Sequence, residues 1–210
     1  MNAQMSAPIS AAATLPGHAG AALPWRFPSV LIDRLRLADG RELVVRPVLA
    51  LDAAAEQDFV RALSAGSRQR RFHVGLRELP PTLLRAMTEV DHDAHVAIVA
   101  EAIGDDDEAT IVADARYVRG PTADLGHDEA EFAIAVADAW QGAGLGRALI
   151  THLARHAARH GITRLVGDVL PGNAAMFAIT AALGGCLVAS PNGPGVVRAR
   201  FDLTGDEERL

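Results

Sequence analysis

The chain has 210 residues, a formal charge of −6 and 50% hydrophobic residues. That suffices for one domain with a real core and excludes general disorder, while the acidic balance disfavours a broad nucleic-acid surface. All 20 side chains counted as Lys or Arg are arginine, which excludes a Walker phosphate loop and Schiff-base or pyridoxal chemistry, since each needs lysine.

Residues 1–28 are rich in Ala, Pro and Gly, carry no charge before Arg26, and lack sustained periodicity. They read as a flexible tail, without the basic region of a signal peptide. No later run reaches the ~18–20 apolar residues of a membrane span, so a soluble, cytoplasmic protein is expected. One domain is expected over residues 29–205, with a short tail at 206–210.

Val30–Leu37 alternates, Ala38-Asp39-Gly40 marks a turn, and Glu42–Arg46 is extended, which predicts a β-hairpin. Asp52 is placed to cap a helix over Ala53–Leu63. Ser64–Phe72 predicts a second, Arg-rich helix, and Pro80-Pro81 starts a third that runs to about Val90. His95–Ala102 and Ala109–Val118 read as paired strands around the acidic turn Gly104–Glu108. Glu131–Ala137 reads as a buried strand. It runs into Trp140–Arg147 and a helix that ends at Gly161, with an apolar stripe at Leu145, Leu149, Leu153 and Ala157. A strand over Thr163–Leu170, a helix over Ala174–Leu183 and two strands, Cys186–Ala189 and Val196–Asp202, complete the order. This is an α/β (α+β) pattern: a mixed sheet carrying helices.

The informative segment is strand, Gln141-Gly142-Ala143-Gly144-Leu145-Gly146-Arg147, helix. Glycines at a strand-to-helix turn let backbone N–H groups approach an anion at the positive end of a helix. Arg147 adds a charged donor. The dinucleotide fingerprint fails, because its third glycine would fall at Arg147, and Val166 stands where the ribose-binding acid belongs.

Gln141-x-x-Gly144-x-Gly146 instead resembles the Q/R-x-x-G-x-G/A loop of the GCN5-related N-acetyltransferases, the GNAT superfamily. The likeness extends over roughly residues 29–203 and is similar to the GNAT domains of bacterial protein-lysine acetyltransferases. It implies a mixed, mostly antiparallel sheet with helices on both faces. A parallel strand pair in that sheet splays apart at an acetyl-CoA site. The pantetheine arm would lie along Ile134, Ala135 and Val136. The pyrophosphate would meet the N–H groups of Gly142, Ala143, Gly144, Leu145, Gly146 and Arg147 behind Gln141, and Asn173 would touch the cofactor from the next helix. Glu131, ten residues before Gln141, matches the family's catalytic base, and the N–H of Val136 would meet the oxyanion. The implied activity is acetyl transfer from acetyl-CoA to an amine, either a protein lysine or a small molecule, by direct attack in a ternary complex. The alternative is a CoA-binding regulatory module with weak or no catalysis. A monomer or homodimer is expected.

The sequence departs from that pattern at Thr180, seven residues after Asn173, where many GNAT enzymes carry a tyrosine that protonates the leaving thiolate. The chain's single tyrosine is Tyr117. His127 is a rival base. Asp91-His92-Asp93-Ala94-His95 has the look of a metal cluster, but no third ligand group is fixed by spacing, and no metal is expected. Cys186 is read as a small buried apolar residue, and Trp140 as packing beneath the loop. Arg68, Arg70, Arg71 and Arg77 read as a solvated basic face or as the lining of an acceptor cleft.

Overall fold

Leu35 lies opposite Leu43, and Val45 opposite Ala100, so the N-terminal hairpin adds directly to a long buried strand. The hairpin strands are β1 (Asp33–Arg36) and β2 (Glu42–Pro47), and the buried strand is β3 (His95–Ile103). The structure is a computed structural model that describes residues 28–104, 108–120 and 125–203. The expected tails, apart from Pro28, and the middle of the acidic turn lie outside those residues.

β1 begins later than the alternation suggests. Ser29–Leu31 instead form a 3₁₀ turn, with the Leu31 N–H bonded to Pro28 and the Leu31 side chain fully buried. Burial of one leucine outweighs the extended pattern around it. Asp52 also departs from expectation. It precedes helix α1 (Ala53–Ala62) but makes no side-chain cap to it. Its carboxylate accepts from the Leu49 N–H at 2.7 Å and from both terminal nitrogens of Arg46, at 2.7 and 2.8 Å. A charge-assisted pair with a half-buried arginine takes precedence over a neutral cap.

Helices α2 (Ala65–Phe72) and α3 (Pro81–Thr88) follow, then β3, β4 (Ala109–Arg119), β5 (Glu129–Val136) and α4 (Leu145–Arg159). The chain continues through β6 (Arg164–Val169), α5 (Ala174–Ala182), β7 (Cys186–Ala189) and β8 (Val197–Asp202). Among the described residues the strands form one sheet in the order β1-β2-β3-β4-β5-β6-β8-β7, in which only β5 and β6 are parallel. Residues of β3 alternate between two cores. Val96, Ile98 and Ala100 pack with Leu145, Leu149 and Leu153 of α4, whereas Ala97 and Val99 pack with Phe59 of α1 and Phe72 of α2. Helices therefore cover both faces, which is why Val96–Ala100 of β3 run continuously apolar. Among the described residues no helix is long and apolar enough to cross a membrane.

Candidate active site

The parallel pairing of β5 and β6 is short. It runs from Glu129 opposite Arg164 to Glu131 opposite Val166 and then stops. β6 stays with β8 and β5 stays with β4, so the two strands diverge. The Ala137 N–H donates to the Val112 carbonyl at 2.8 Å across β4. Backbone groups alternate sides along an antiparallel ladder, so Ala135, Ala133 and Glu131 also spend theirs on β4. Phe132 turns its backbone groups toward β6 where the pairing ends, and Ile134 and Val136 turn theirs toward the gap. Gly167 sits at the point of divergence, where an added Cβ would lie 2.8 Å from the Phe132 ring.

Beyond β5, a 3₁₀ turn (Asp138–Trp140) leads into the glycine loop. Gly142 and Gly144 hold left-handed backbone, with φ of 79° and 89°, a region that costs other residues roughly 1–2 kcal/mol. The Ala148 N–H is the first to bond into the helix, to Gly144 at 3.0 Å. The N–H groups of residues 142–147 therefore stand ahead of the α4 ladder at its positive end. Gly146 packs beneath Ile179, whose Cδ1 would sit 3.1 Å from an added Cβ. The Leu145 side chain is in the core, so only its backbone faces the loop. Arg147 is exposed and borders one surface depression with Ala143, Gly144, Arg36 and Arg155, which gives that side of the loop positive charge. Trp140 packs against the main core, with the Arg41 guanidinium 4.0 Å from its ring centre.

Helix α2 forms the opposite wall and is tied to the loop. Asp138 accepts from the Ser64 N–H at 2.8 Å, the Ser64 hydroxyl at 2.7 Å and the Ser67 hydroxyl at 2.8 Å. Partial burial acts to raise its pKa, but the bonds from Ser64 and Ser67 outweigh that and hold it below the usual range. The Gln141 amide donates to the Val136 carbonyl at 2.9 Å and to the Ser67 hydroxyl at 3.1 Å. Between the walls runs a cleft lined by Ser67, Ile134, Val136, Gln141, Gly142 and Asn173. Asn173 uses its side-chain oxygen to cap α5 through the Met176 N–H, at 3.1 Å. Ala135 lines the cleft while its backbone stays with β4.

A second chamber opens beside it, lined by Glu131, His73, Asp168 and Gly167. Arg70, Arg71, Ile134, Asn173 and Met176 line both cavities and mark their junction. His73 ends α2 in left-handed backbone, with φ of 56°. Burial pushes its pKa down, against the opposing pull of Asp168, so the ring is neutral at pH 7. Asp168 is held by Arg198 Nε at 2.9 Å, Ser190 at 2.9 Å and Asn192 at 2.7 Å. His127 lies exposed in the turn before β5, outside both cavities.

Beneath α2 lies a buried charge cluster. Arg71 is 5% exposed, and its Nη2 lies 3.6 Å from Asp114. Asp114 is also gripped by both sides of the Arg116 guanidinium, at 3.1 Å on Nε and closer on Nη2. Arg116 reaches the Met87 carbonyl at 2.9 Å and lies 3.8 Å from Glu56. Neither Glu56 oxygen has a hydrogen-bond partner among the described residues. Burial, and next the negative charge of Asp114, push the Glu56 carboxyl up to about 8. His95 joins the cluster, and burial together with the neighbouring Arg116 brings its pKa down to about 3.

Thr180 is fully buried, and its hydroxyl donates to the Met176 carbonyl at 2.8 Å. The Tyr117 hydroxyl is buried 2.9 Å from His156 Nδ1. Neither faces the cleft. Among the described residues no group of three or more His, Cys, Asp or Glu is arranged to hold a metal ion. In the 91–95 segment, Asp91 accepts from the backbone of Asp93 and His95, and the His92 ring bonds the Val48 carbonyl at 2.9 Å. Cys186 is exposed rather than buried, because β7 is the last strand of the sheet and its first residue turns outward. Arg68 bonds the Leu63 and Arg61 carbonyls, so among the four arginines of the 68–77 segment only Arg70 and Arg71 reach the cleft. His73, Asp168, Ser67 and Asp138 carried no motif in the sequence.

Residues 61–184 match the Acetyltransferase (GNAT) family. The chain belongs to this family. GNAT acetyltransferases use acetyl-CoA. The chain is 32% identical over 148 residues to Acetyltransferase PA5475 of Pseudomonas aeruginosa, covering 70% of this chain and 77% of that protein. It resembles the GNAT domain of S. lividans PAT, with a TM-score of 0.78 and 31% identity over 84% of this chain and 99% of that one. It is also 32% identical over 173 residues to Acetyltransferase Pat of Mycolicibacterium smegmatis, covering 80% of this chain but only 48% of that protein. The GNAT fold expected from the glycine loop is therefore the fold observed, including the splayed β5–β6 pair.

Proposed function

We propose that the chain transfers an acetyl group from acetyl-CoA to an amine, a protein lysine or a small-molecule amine, in a ternary complex. The observation that carries this reading is the continuity of the two cavities. The glycine loop opens onto the free edge of β5, and that edge leads to a chamber holding Glu131. In this reading the N–H groups of residues 142–147 and Arg147 hold the pyrophosphate. Ile134 and Val136 pair with the pantetheine amides as a strand would. Asn173 contacts the cofactor from α5.

A lysine-like amine has a pKa of ~10.4 and is almost wholly protonated at pH 7. Glu131 takes its proton, directly or through one water. The amine nitrogen attacks the thioester carbonyl, and the Val136 N–H stabilises the oxygen that gains charge. The C–N bond forms, the C–S bond breaks with its electron pair leaving on sulfur as CoA thiolate, and the second nitrogen proton passes to water. The likeness to the Pat proteins favours a protein lysine as acceptor.

A CoA-binding regulatory module is the second reading. It is favoured by the burial of Thr180 and Tyr117, which leaves neither hydroxyl to protonate the thiolate. The two separate by experiment. Thermal unfolding with acetyl-CoA, CoA or NAD tests the loop: saturation at ~100 times the dissociation constant adds about 2.7 kcal/mol. A rise with both CoA compounds and none with NAD is expected. CoA release on adding amines or lysine peptides then supports the enzyme, and binding without release under any acceptor supports the module. No rise with acetyl-CoA overturns both.

A further inference from the structure

We infer that Arg71 is a catalytic residue for the departure of the thiolate, supplying in place of a tyrosine acid the positive charge that stabilises sulfur as the C–S bond breaks. The inference rests on the acetyl-transfer reading above.

Three observations converge on it. First, the place is right. Arg71 lines both the cofactor cleft and the Glu131 chamber, and the thioester must react where the two meet. Second, the usual acid is missing. Thr180 is buried and bonded to Met176, and Tyr117 is spent on His156. Third, Arg71 is built in rather than solvated. It is 5% exposed and braced by Asp114 at 3.6 Å. Arg70, at the same junction, is exposed and bonds the Ser67 hydroxyl at 2.9 Å, so solvent screens it.

The charge balance supports the same role. Glu56 holds its proton at pH 7, because its buried carboxyl titrates at about 8, and His95 is neutral. The cluster then contains two guanidinium cations and one carboxylate. Arg116 grips Asp114 with two donors, so the cluster is net positive, and Arg71 is its member that lines both cavities. Because Arg71 is buried, its charge is screened less than that of a cation in solution.

In the step itself, the ammonium gives one proton to Glu131, the amine nitrogen bonds to the carbonyl carbon, and the second nitrogen proton passes to water as the intermediate collapses. The C–S electron pair goes to sulfur, forming a thiolate beside Arg71. Arginine does not give up its proton at neutral pH, so the thiolate is stabilised in the site and takes its proton from water.

The test titrates the thiol of CoA bound to the full chain, followed by the ultraviolet absorbance of the thiolate, with free CoA as reference. Calorimetry first establishes that CoA is bound. The bound thiol is expected to titrate about one pH unit below the free one, as for a group beside a fixed opposite charge. In Arg71→Met it returns to the free value, and in Arg71→Lys it stays low. Asp114 keeps Arg116 as partner in both variants, so the fold has what it needs. The kcat of Arg71→Met falls about 10- to 1000-fold, as on loss of an electrostatic stabiliser, with a much smaller change in KM for acetyl-CoA. A bound thiol that titrates like free CoA in the unaltered protein overturns the inference without any variant. So does a lowered titration that persists in Arg71→Met. Failure of CoA to bind at all overturns the acetyl-transfer reading, and this inference with it.

Discussion

The Ser67 hydroxyl donates to Asp138 at 2.8 Å across 71 positions of sequence. This bond, with the two from Ser64, fastens α2 to the turn before the glycine loop. Asp138→Ala removes three bonds to one carboxylate, and bonds to charged groups are worth about 1.5–3 kcal/mol when buried. Asp138 is exposed, so a total loss of about 1–2 kcal/mol is expected, a fall in Tm of several degrees at ~2–4 °C per kcal/mol. Acetyl-CoA affinity should fall with it, because the cleft loses a fixed wall. Calorimetry with acetyl-CoA beside thermal unfolding checks both. An unchanged affinity would mean that α2 does not shape the cleft.

Gly144 and Gly146 should respond differently to the same substitution. At Gly144 an added Cβ meets nothing within 4 Å, but φ is 89°. Gly144→Ala therefore pays a backbone cost of roughly 1–2 kcal/mol and crowds the anion site from the ligand side. Gly146 has ordinary helical backbone, and its Cβ would press Ile179 at 3.1 Å, which a rotamer change relieves. We expect Gly144→Val to abolish acetyl-CoA binding and Gly146→Ala to weaken it only partly. Equal affinities in thermal-shift titrations would argue against the loop as the anion site.

Glu131 and His73 line the same chamber, and kinetics can tell their roles apart. Glu131→Gln should lower kcat by about 10²–10⁴-fold, the usual worth of a general base, with acetyl-CoA affinity unchanged. With the base proposed to be Glu131, His73→Gln should leave the acid limb of kcat/KM in place. If the acid limb of the pH–rate profile disappears in His73→Gln and survives in Glu131→Gln, the base has been misassigned.

Stability should fall on both sides of a maximum near neutral pH. Burial, with the neighbouring His160, lowers His156 to about 4. The unfolded chain therefore binds more protons between pH 6.5 and 4, and stability is lost as pH drops through that window. His95 extends the loss to lower pH. Glu56 acts in the opposite direction. Its folded pKa of about 8 lies above the ordinary 4.5, so its contribution is full at low pH and is lost as pH rises from 4.5 to 8. In Glu56→Gln, the decline of Tm toward pH 8 should disappear while the acid limb remains. A Tm profile parallel to that of the unaltered protein would show that Glu56 does not titrate in this range.

Local rules made much of the molecule legible in the sequence. Alternation marked the first hairpin, the acidic turn at 104–108 marked the second, the 3.6-residue stripe marked α4, and Gly161, with φ of 78°, ended it as glycine does. The spacing of Gln141, Gly144 and Gly146 placed the loop between β5 and α4 and pointed to the family. These features depend on neighbours a few residues apart, and the chain states them directly. Asp52, Cys186, His73 and Asp168 depended on the tertiary structure. Asp52 pairs with Arg46 because β2 brings the guanidinium beside it. Cys186 is exposed because its strand is the sheet edge. His73 and Asp168 face one chamber because β5 and β6 stop pairing after Glu131 and Val166. Arg71 is the clearest case. In the sequence it is one of several arginines on a polar helix, and only the packing of α2 against β5 brings it beside Asp114 of the neighbouring β4. A buried charge is tolerated only where the fold supplies its partner, and that partner lies 43 positions away.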